Sequence, residues 1–172
     1  MSEVEKLKKK NKDLEALERQ LRKEVAELRD FVENASLPLH WVNGSGIIIW
    51  VNQAELDLLG YSKDEFLNKH ISKFHADKDV IEDILRRLMN KETLLNYPAR
   101  LLCKNGEIKD VLINSNVFWE HGEFVHTRCF TRDVTQLRKV EREKDALIKK
   151  LQARVEQLEN ENRTLRKQKL RS

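Results

Sequence analysis

Aromatic residues make up only 6% of this 172-residue chain, which also holds just two cysteines, two prolines and five glycines. The cysteines, Cys103 and Cys129, form no CxxC pair, and no secretory signal is recognisable. A disulfide scaffold is therefore excluded, and a reduced, cytoplasmic setting is expected. The longest apolar run, Ile47 to Val51, is far too short to cross a bilayer, so no membrane segment is expected in this chain. Neither sign of charge dominates. Thirty-three basic and 29 acidic residues interleave to a net charge of +4, which gives no strong field for nucleic acid.

Charge itself is abundant. Charged residues are 36% of the chain, too many for one globule but normal for long solvated helices. Most of them lie at the two ends. The spacing predicts three parts: a helix over 1–34, a globular domain over 35–135, and a second helix over 136–172. The middle part, roughly 100 residues, is large enough to bury its own core.

The first helix lacks both Gly and Pro up to Asn34. Its a and d positions are Val4, Leu7, Asn11, Leu14, Glu18, Leu21, Val25, Leu28 and Val32. Steps of 3 and 4 alternate without a break, as a coiled-coil seam requires. Asn11 at an a position favours two parallel strands in register, because a buried amide is best placed opposite its own copy. In that arrangement Lys10 faces Glu15 and Glu24 faces Arg29, each pair contributing on the order of a few tenths of a kcal/mol. Glu18 weakens the seam.

The last helix repeats the pattern through Leu137, Val140, Lys144, Leu147 and Leu151, then Val155, Leu158, Asn162, Leu165 and Lys169. Two successive steps of 4 around Leu151 form a stutter, which locally unwinds a supercoil. Arg154 to Gln168 resembles a leucine zipper of the bZIP kind. The stretch before it carries Glu141, Glu143 and Asp145 and no Asn, so it lacks the basic reading helix that DNA binding needs. A parallel homodimer without nucleic acid is expected.

In the middle part, Pro38 confirms the end of the first helix. Leu39–Val42 and 47–51 flank the turn signal Asn43-Gly44-Ser45-Gly46 and predict a hairpin. Asn52 is placed to cap a helix that Gly60 ends, and Ser62 to Glu65 has the capping-box pattern. A third helix is expected from about Asp79 to Asn90, with Val80, Ile81, Ile84, Leu85 and Leu88 on one face. Strands over 97–104, 107–118 and 123–134 follow, joined by Asn105-Gly106 and His121-Gly122. The order β-β-α-α-α-β-β-β implies an α+β domain, an antiparallel sheet with helices on one face.

Taken in order, Asn52-Gln53-Ala54, Leu58-Leu59-Gly60-Tyr61-Ser62, Phe74-His75-Ala76-Asp77, Lys104-Asn105-Gly106 and Asp133-Val134-Thr135 resemble bacterial PAS domains. The run His126 to Thr135 resembles those of sensor histidine kinases. The resemblance covers roughly 31–137. It implies a five-stranded sheet in order 2-1-5-4-3, dimerisation through the N-terminal helix and outer sheet face, and a joint at Asp133 and Thr135 leading to a signalling helix. Thr135 is expected to cap that helix.

Strand alternation splits β-strand 123–133 into two faces. Val125, Thr127, Cys129 and Thr131 share one, which the resemblance turns towards the helices. Thr127, Cys129 and Thr131 with Leu101, Cys103, Val111 and Ile113 are the candidate pocket, on an inner surface that Ala99, Ser115 and Val117 complete. Phe124, His126, Arg128 and Phe130 share the other, with Phe124 and Phe130 assigned to the dimer interface. His75, and His70 near it, lie where haem-binding members place a ligand, so His75 is the candidate haem ligand. The Gly-x-Asn-Cys-Arg-Phe motif of flavin photoreceptors is absent. No zinc spacing surrounds His40, His121 or His126. The last helix has no phosphoacceptor His, and no nucleophile constellation or ATP loop occurs. The expectation is a non-enzymatic dimeric sensor or relay without an assigned cofactor or metal, part of or derived from a sensor histidine kinase with a fused or partner output domain. The alternative is a ligand-free dimerisation scaffold.

Overall fold

The computed structural model describes residues 2–169; the side chains of 164, 165 and 167–169, and with them the seam positions Leu165 and Lys169, lie outside the described residues. Two units divide the chain near Asp133.

The first unit opens with α1 (Glu3–Glu33), started by a capping box in which Ser2 and Glu5 satisfy each other's backbone N–H groups. No residue of α1 is buried. Next come β1 (Leu39–Val42), β2 (Ile48–Val51), α2 (Gln53–Leu59), α3 (Lys63–Phe66), a 3-10 turn (Ile71–Phe74), α4 (Lys78–Met89), β3 (Leu94–Leu102), β4 (Ile108–Glu120) and β5 (Glu123–Asp133). The five strands form one antiparallel sheet in the order β2-β1-β5-β4-β3. The second unit is α5 (Thr135–Lys169), separated from β5 by Val134 alone.

Local chemistry sets these boundaries. Asn52 caps α2 and Gly60 ends it in a left-handed conformation; Ser62 and Glu65 form the expected capping box at α3. In the β1–β2 turn, Gly46 has φ +75°, and a Cβ there would fall 2.3 Å from His70 Nε2, so the 3-10 segment closes against bare backbone. Pro98 sits in β3, which is an edge strand and can spare an N–H.

Three features depart from the sequence reading by more than a residue or two at a strand end. β3 begins at Leu94 rather than Tyr97: Leu94 pairs with Ser115, and the register shifts before Tyr97↔Ile113, with Asn96 at φ 50°. The 3-10 turn has too few residues to carry a periodic signal. The third correction concerns Phe124. Trp119 meets Phe124 edge-on at 5.5 Å, and Phe118 meets His126 at 5.5 Å. One step along β4 thus matches two along β5, so alternation slips by one residue near the hairpin. Phe124 consequently packs against the core instead of joining His126 and Phe130.

Elsewhere alternation holds. Ala99, Leu101, Cys103, Val111, Ile113, Ser115, Val117, Thr127, Cys129 and Thr131 are all buried on the inner face, under Ile81, Ile84 and Leu88 of α4. Phe66 is fully buried, 4.2 Å from Phe74 and 6.1 Å from Tyr61 between ring centroids. Truncating it leaves a void that the two neighbouring rings cannot both collapse into. Phe66→Ala is expected to lower stability by about 3–5 kcal/mol, measured by urea unfolding of the full chain.

Candidate functional site

The inner face carries a buried polar cluster. His40 on β1 points inward because Trp41 takes the other face of the same strand. Its Nδ1 lies 3.2 Å from Glu55 Oε1, with both side chains buried. Thr131 Oγ1 donates to the same oxygen at 3.4 Å. Glu55 Oε2 has no hydrogen-bond partner among the described residues. Burial alone would lower the His40 pKa, but neighbouring Cys129 and Glu55 outweigh it and hold the ring well above the usual histidine range.

Beside the cluster lies a cavity of about 20 Å³, lined by His40, His75, Ser115, Thr127 and Cys129 and by the apolar side chains of α4. That is room for one water. His75 Nδ1 and Ser115 Oγ, both buried, have no partner among the described residues. Burial, and secondarily the charge of His40, push the His75 pKa down to about 4, with Asp77 opposing. The two histidines thus shift in opposite directions: Cys129 and Glu55 hold one, and burial dominates the other.

The cluster connects to the end of α1 through Asn52. Its Oδ1 accepts from Leu39 N–H at 2.9 Å and Glu55 N–H at 3.1 Å. Its Nδ2 reaches the carbonyl oxygens of Val32, Ala35 and Leu37 at 3.4, 3.3 and 2.9 Å.

Of the expected pocket residues, Ile113, Thr127 and Cys129 line the cavity, and so does His75, the candidate haem ligand. Leu101 and Val111 are core residues away from it, and Thr131 serves the Glu55 cluster instead. Cys103 borders a separate surface groove with Asp57, Gly60 and Lys104. His70 is engaged with Ser72, whose N–H donates to its Nδ1. At the joint, α5 starts at Thr135, so Thr135 is the first helical residue rather than its cap. Asp133 Oδ1 accepts the Thr135 N–H at 2.8 Å and takes the capping role, because its side chain reaches two residues forward.

The outer face carries a ladder of rings. Trp50 and Trp41 lie 4.7 Å apart, Trp41 stacks on His126 at 4.4 Å, and Phe118 adjoins His126, with Arg128 over Phe118. Phe130, more than a third exposed, is on β5 two residues beyond Arg128. Val4, Leu7, Leu14, Leu21, Val25 and Leu28 on α1, and Leu137, Val140, Leu147, Leu151, Val155 and Leu158 on α5, are all at least 40% exposed. Asn11 and Asn162 are also exposed, and Val32 is half-buried. Sequence reasoning missed Trp41, Trp50, Asn52's second role, His40 and Glu55; inward alternation of His40 within Leu39–Val42 was the available signal.

A family model described as PAS domain matches residues 36–136. The chain belongs to the PAS domain family. Among solved structures it is similar to the PAS domain of an HTR-like protein from Haloarcula marismortui, at 22% identity and TM-score 0.61 over 69% of this chain and 98% of that one. A domain of a sensory box sensor histidine kinase/response regulator from Geobacter sulfurreducens matches at 21% identity and TM-score 0.57, covering 66% and 96%. An RNA-binding light-oxygen-voltage receptor matches at 17% identity and TM-score 0.64, covering 72% of this chain and 37% of its own. No curated protein matches the sequence. Among the described residues no helix is long and apolar enough to cross a membrane, and no group of three or more metal-ligating side chains occurs.

The histidine shifts fix a pH window. Unfolded, His75 takes a proton near pH 6.5; folded, it does so only near 4. The unfolded state binds more protons between these values, so stability is lost as pH falls from about 6.5 to about 4, on the order of 3 kcal/mol. His40 acts oppositely: its folded pKa is raised, so its contribution is lost as pH rises above about 6.5. Urea midpoints measured from pH 4 to 9 are expected to peak between these limbs, and His75→Phe to flatten the acid one.

Proposed function

We propose that the chain is a dimeric PAS sensor and signal relay, passing conformational change between its flanking helices to a fused or partner output domain of a two-component system. The observation that carries this is the state of the two helices. α1 runs 31 residues with none buried, and Phe31 at its end is 74% exposed. Helices in proteins draw most of their stability from packing an apolar face, and among the described residues nothing buries the stripe of α1. The unbroken heptads of α1, the stuttered ones of α5 and the Asn11 and Asn162 layers favour a second, parallel copy as the cover. The outer ladder, with Phe130, supports domain contact in the same dimer.

As for cofactors, His75 faces a cavity of about 20 Å³, whereas pockets for ligands of drug size start near 300 Å³. A cavity of that volume holds neither haem nor flavin, so no step is assigned to either. The small cavity favours the second reading, a dimerisation scaffold that works without a ligand.

Sedimentation equilibrium should show a dimer at micromolar concentration, with thermal stability that rises with concentration; a stable monomer would falsify the dimer. Asn11→Ile with Asn162→Ile should raise the melting temperature while loosening oligomer state, and a strictly dimeric double variant would remove the specificity role of the two amides. Asp133→Ala should cost about 1 kcal/mol at the start of α5. In a fusion carrying an output domain after Ser172, the same change should alter regulated activity, and unchanged regulation would leave Asp133 as a cap alone.

A further inference from the structure

Asn52 is 1% exposed and has two halves with different work. The acceptor half holds Leu39 N–H and Glu55 N–H, so it fixes the start of β1 and caps α2. The donor half contributes nothing to the cap. It turns instead to three carbonyls, Val32 in the last turn of α1 and Ala35 and Leu37 in the connector. Carbonyls at a helix C-terminus lack partners in their own helix, so an outside donor there is an attachment. Two amide hydrogens thus serve three acceptors, the shortest contact being the one to Leu37.

No side chain of α1 is buried, and only Val32 and Glu33 at its end are half-buried, so packing holds that helix to the domain at its last turn alone. The Asn52 amide attaches the same turn by a hydrogen bond. On its other side the link is short and stiff. Glu55 is three residues on, its N–H is held by Asn52, and its carboxylate meets His40 and Thr131.

We propose that Asn52 is a positioning residue that couples the exit of α1 to the His40–Glu55–Thr131 cluster. A rotation or shift of α1 reaches the cluster through this amide and the first turn of α2, and a change in the cluster returns by the same route. The use of the coupling rests on the relay reading above; its existence does not.

Asn52→Asp keeps both acceptor bonds and cannot donate. Asn52→Ser keeps a short capping oxygen without charge, as a control for any folding defect of the Asp variant. In the full chain, amide hydrogen exchange over 31–37 should speed about tenfold in both variants, while β1 and α2 stay within about twofold of wild type. Equal loosening of β1, α2 and the connector in both variants would make Asn52 a cap and nothing more. The coupling is read separately. Leu28→Asp in the α1 seam should shift the His40 ring signals by NMR in wild type and leave them in place in Asn52→Asp. Equal shifts in both backgrounds, or none in a wild-type chain that sediments as a dimer, would overturn the proposal. A monomeric wild type would overturn the dimer reading instead, and the exchange comparison alone would then decide the coupling.

Discussion

A helix end, an irregular connector and the first residue of a strand all converge on one side-chain amide, that of Asn52. Each brings backbone groups that must find partners once water is excluded, and an unmade bond there costs about 1–3 kcal/mol. A hydroxyl has too little reach, a carboxylate cannot donate, and an ammonium cannot accept. Asn offers both functions within one plane. With Leu39 fixed, β1 takes its register against β5 through Leu39↔Phe130 and His40↔Cys129, which sends His40 inward. With α2 capped, Glu55 is delivered to meet it. The polar cluster therefore depends on a residue that is not a member of it.

Placing an ion pair in that core is not a route to stability by itself. Desolvating His40 and Glu55 costs several kcal/mol, and their attraction returns it only with good geometry and further hydrogen bonds. Thr131 supplies one, and Glu55 Oε2 has none among the described residues. An apolar pair of the same volume would pack there at no greater cost. What the ion pair adds is specificity: removing either partner strands the other, so β1, α2 and β5 are held in one mutual arrangement. His75 has no such partner and stays neutral for the same physical reason, burial without a counter-charge.

Much of this architecture is legible in the residues because it follows from short-range periodicity and turn chemistry. Alternation placed every inner-face residue from Ala99 to Val117, and Asn-Gly and His-Gly turns located two hairpins. Phe124 failed because a one-residue slip reverses faces, and nothing in Glu123-Phe124-Val125-His126 marks where the slip occurs. Thr135 failed as a cap because α5 begins at Thr135 itself, one residue earlier than that reading needs, and Asp133 accepts the Thr135 N–H. The His40–Glu55 contact joins residues 15 apart on different elements. No local pattern encodes it, and the zinc-spacing test applied to His40 asked about the wrong chemistry. Asn52 was legible as a cap, since capping is local; its donor half faces residues up to 20 positions earlier and was not.

β5 brings the two faces of the sheet into one element. Thr127, Cys129 and Thr131 reach the cavity and the cluster, while His126 and Arg128 on its reverse touch the rings of Trp41 and Phe118. A strand is stiff along its length, and side chains on opposite faces share one backbone, so a shift that relieves the cluster must also disturb the outer ladder. Thr127 shows how tight the linkage is: its Oγ1 accepts the Val42 N–H at 3.1 Å, a backbone partner that a displaced strand would leave buried and unpaired. Small displacements of β5 are thus resisted on both sides at once. The strand is held along its length from both faces, from His126 against Trp41 to Thr131 at the Glu55 carboxylate.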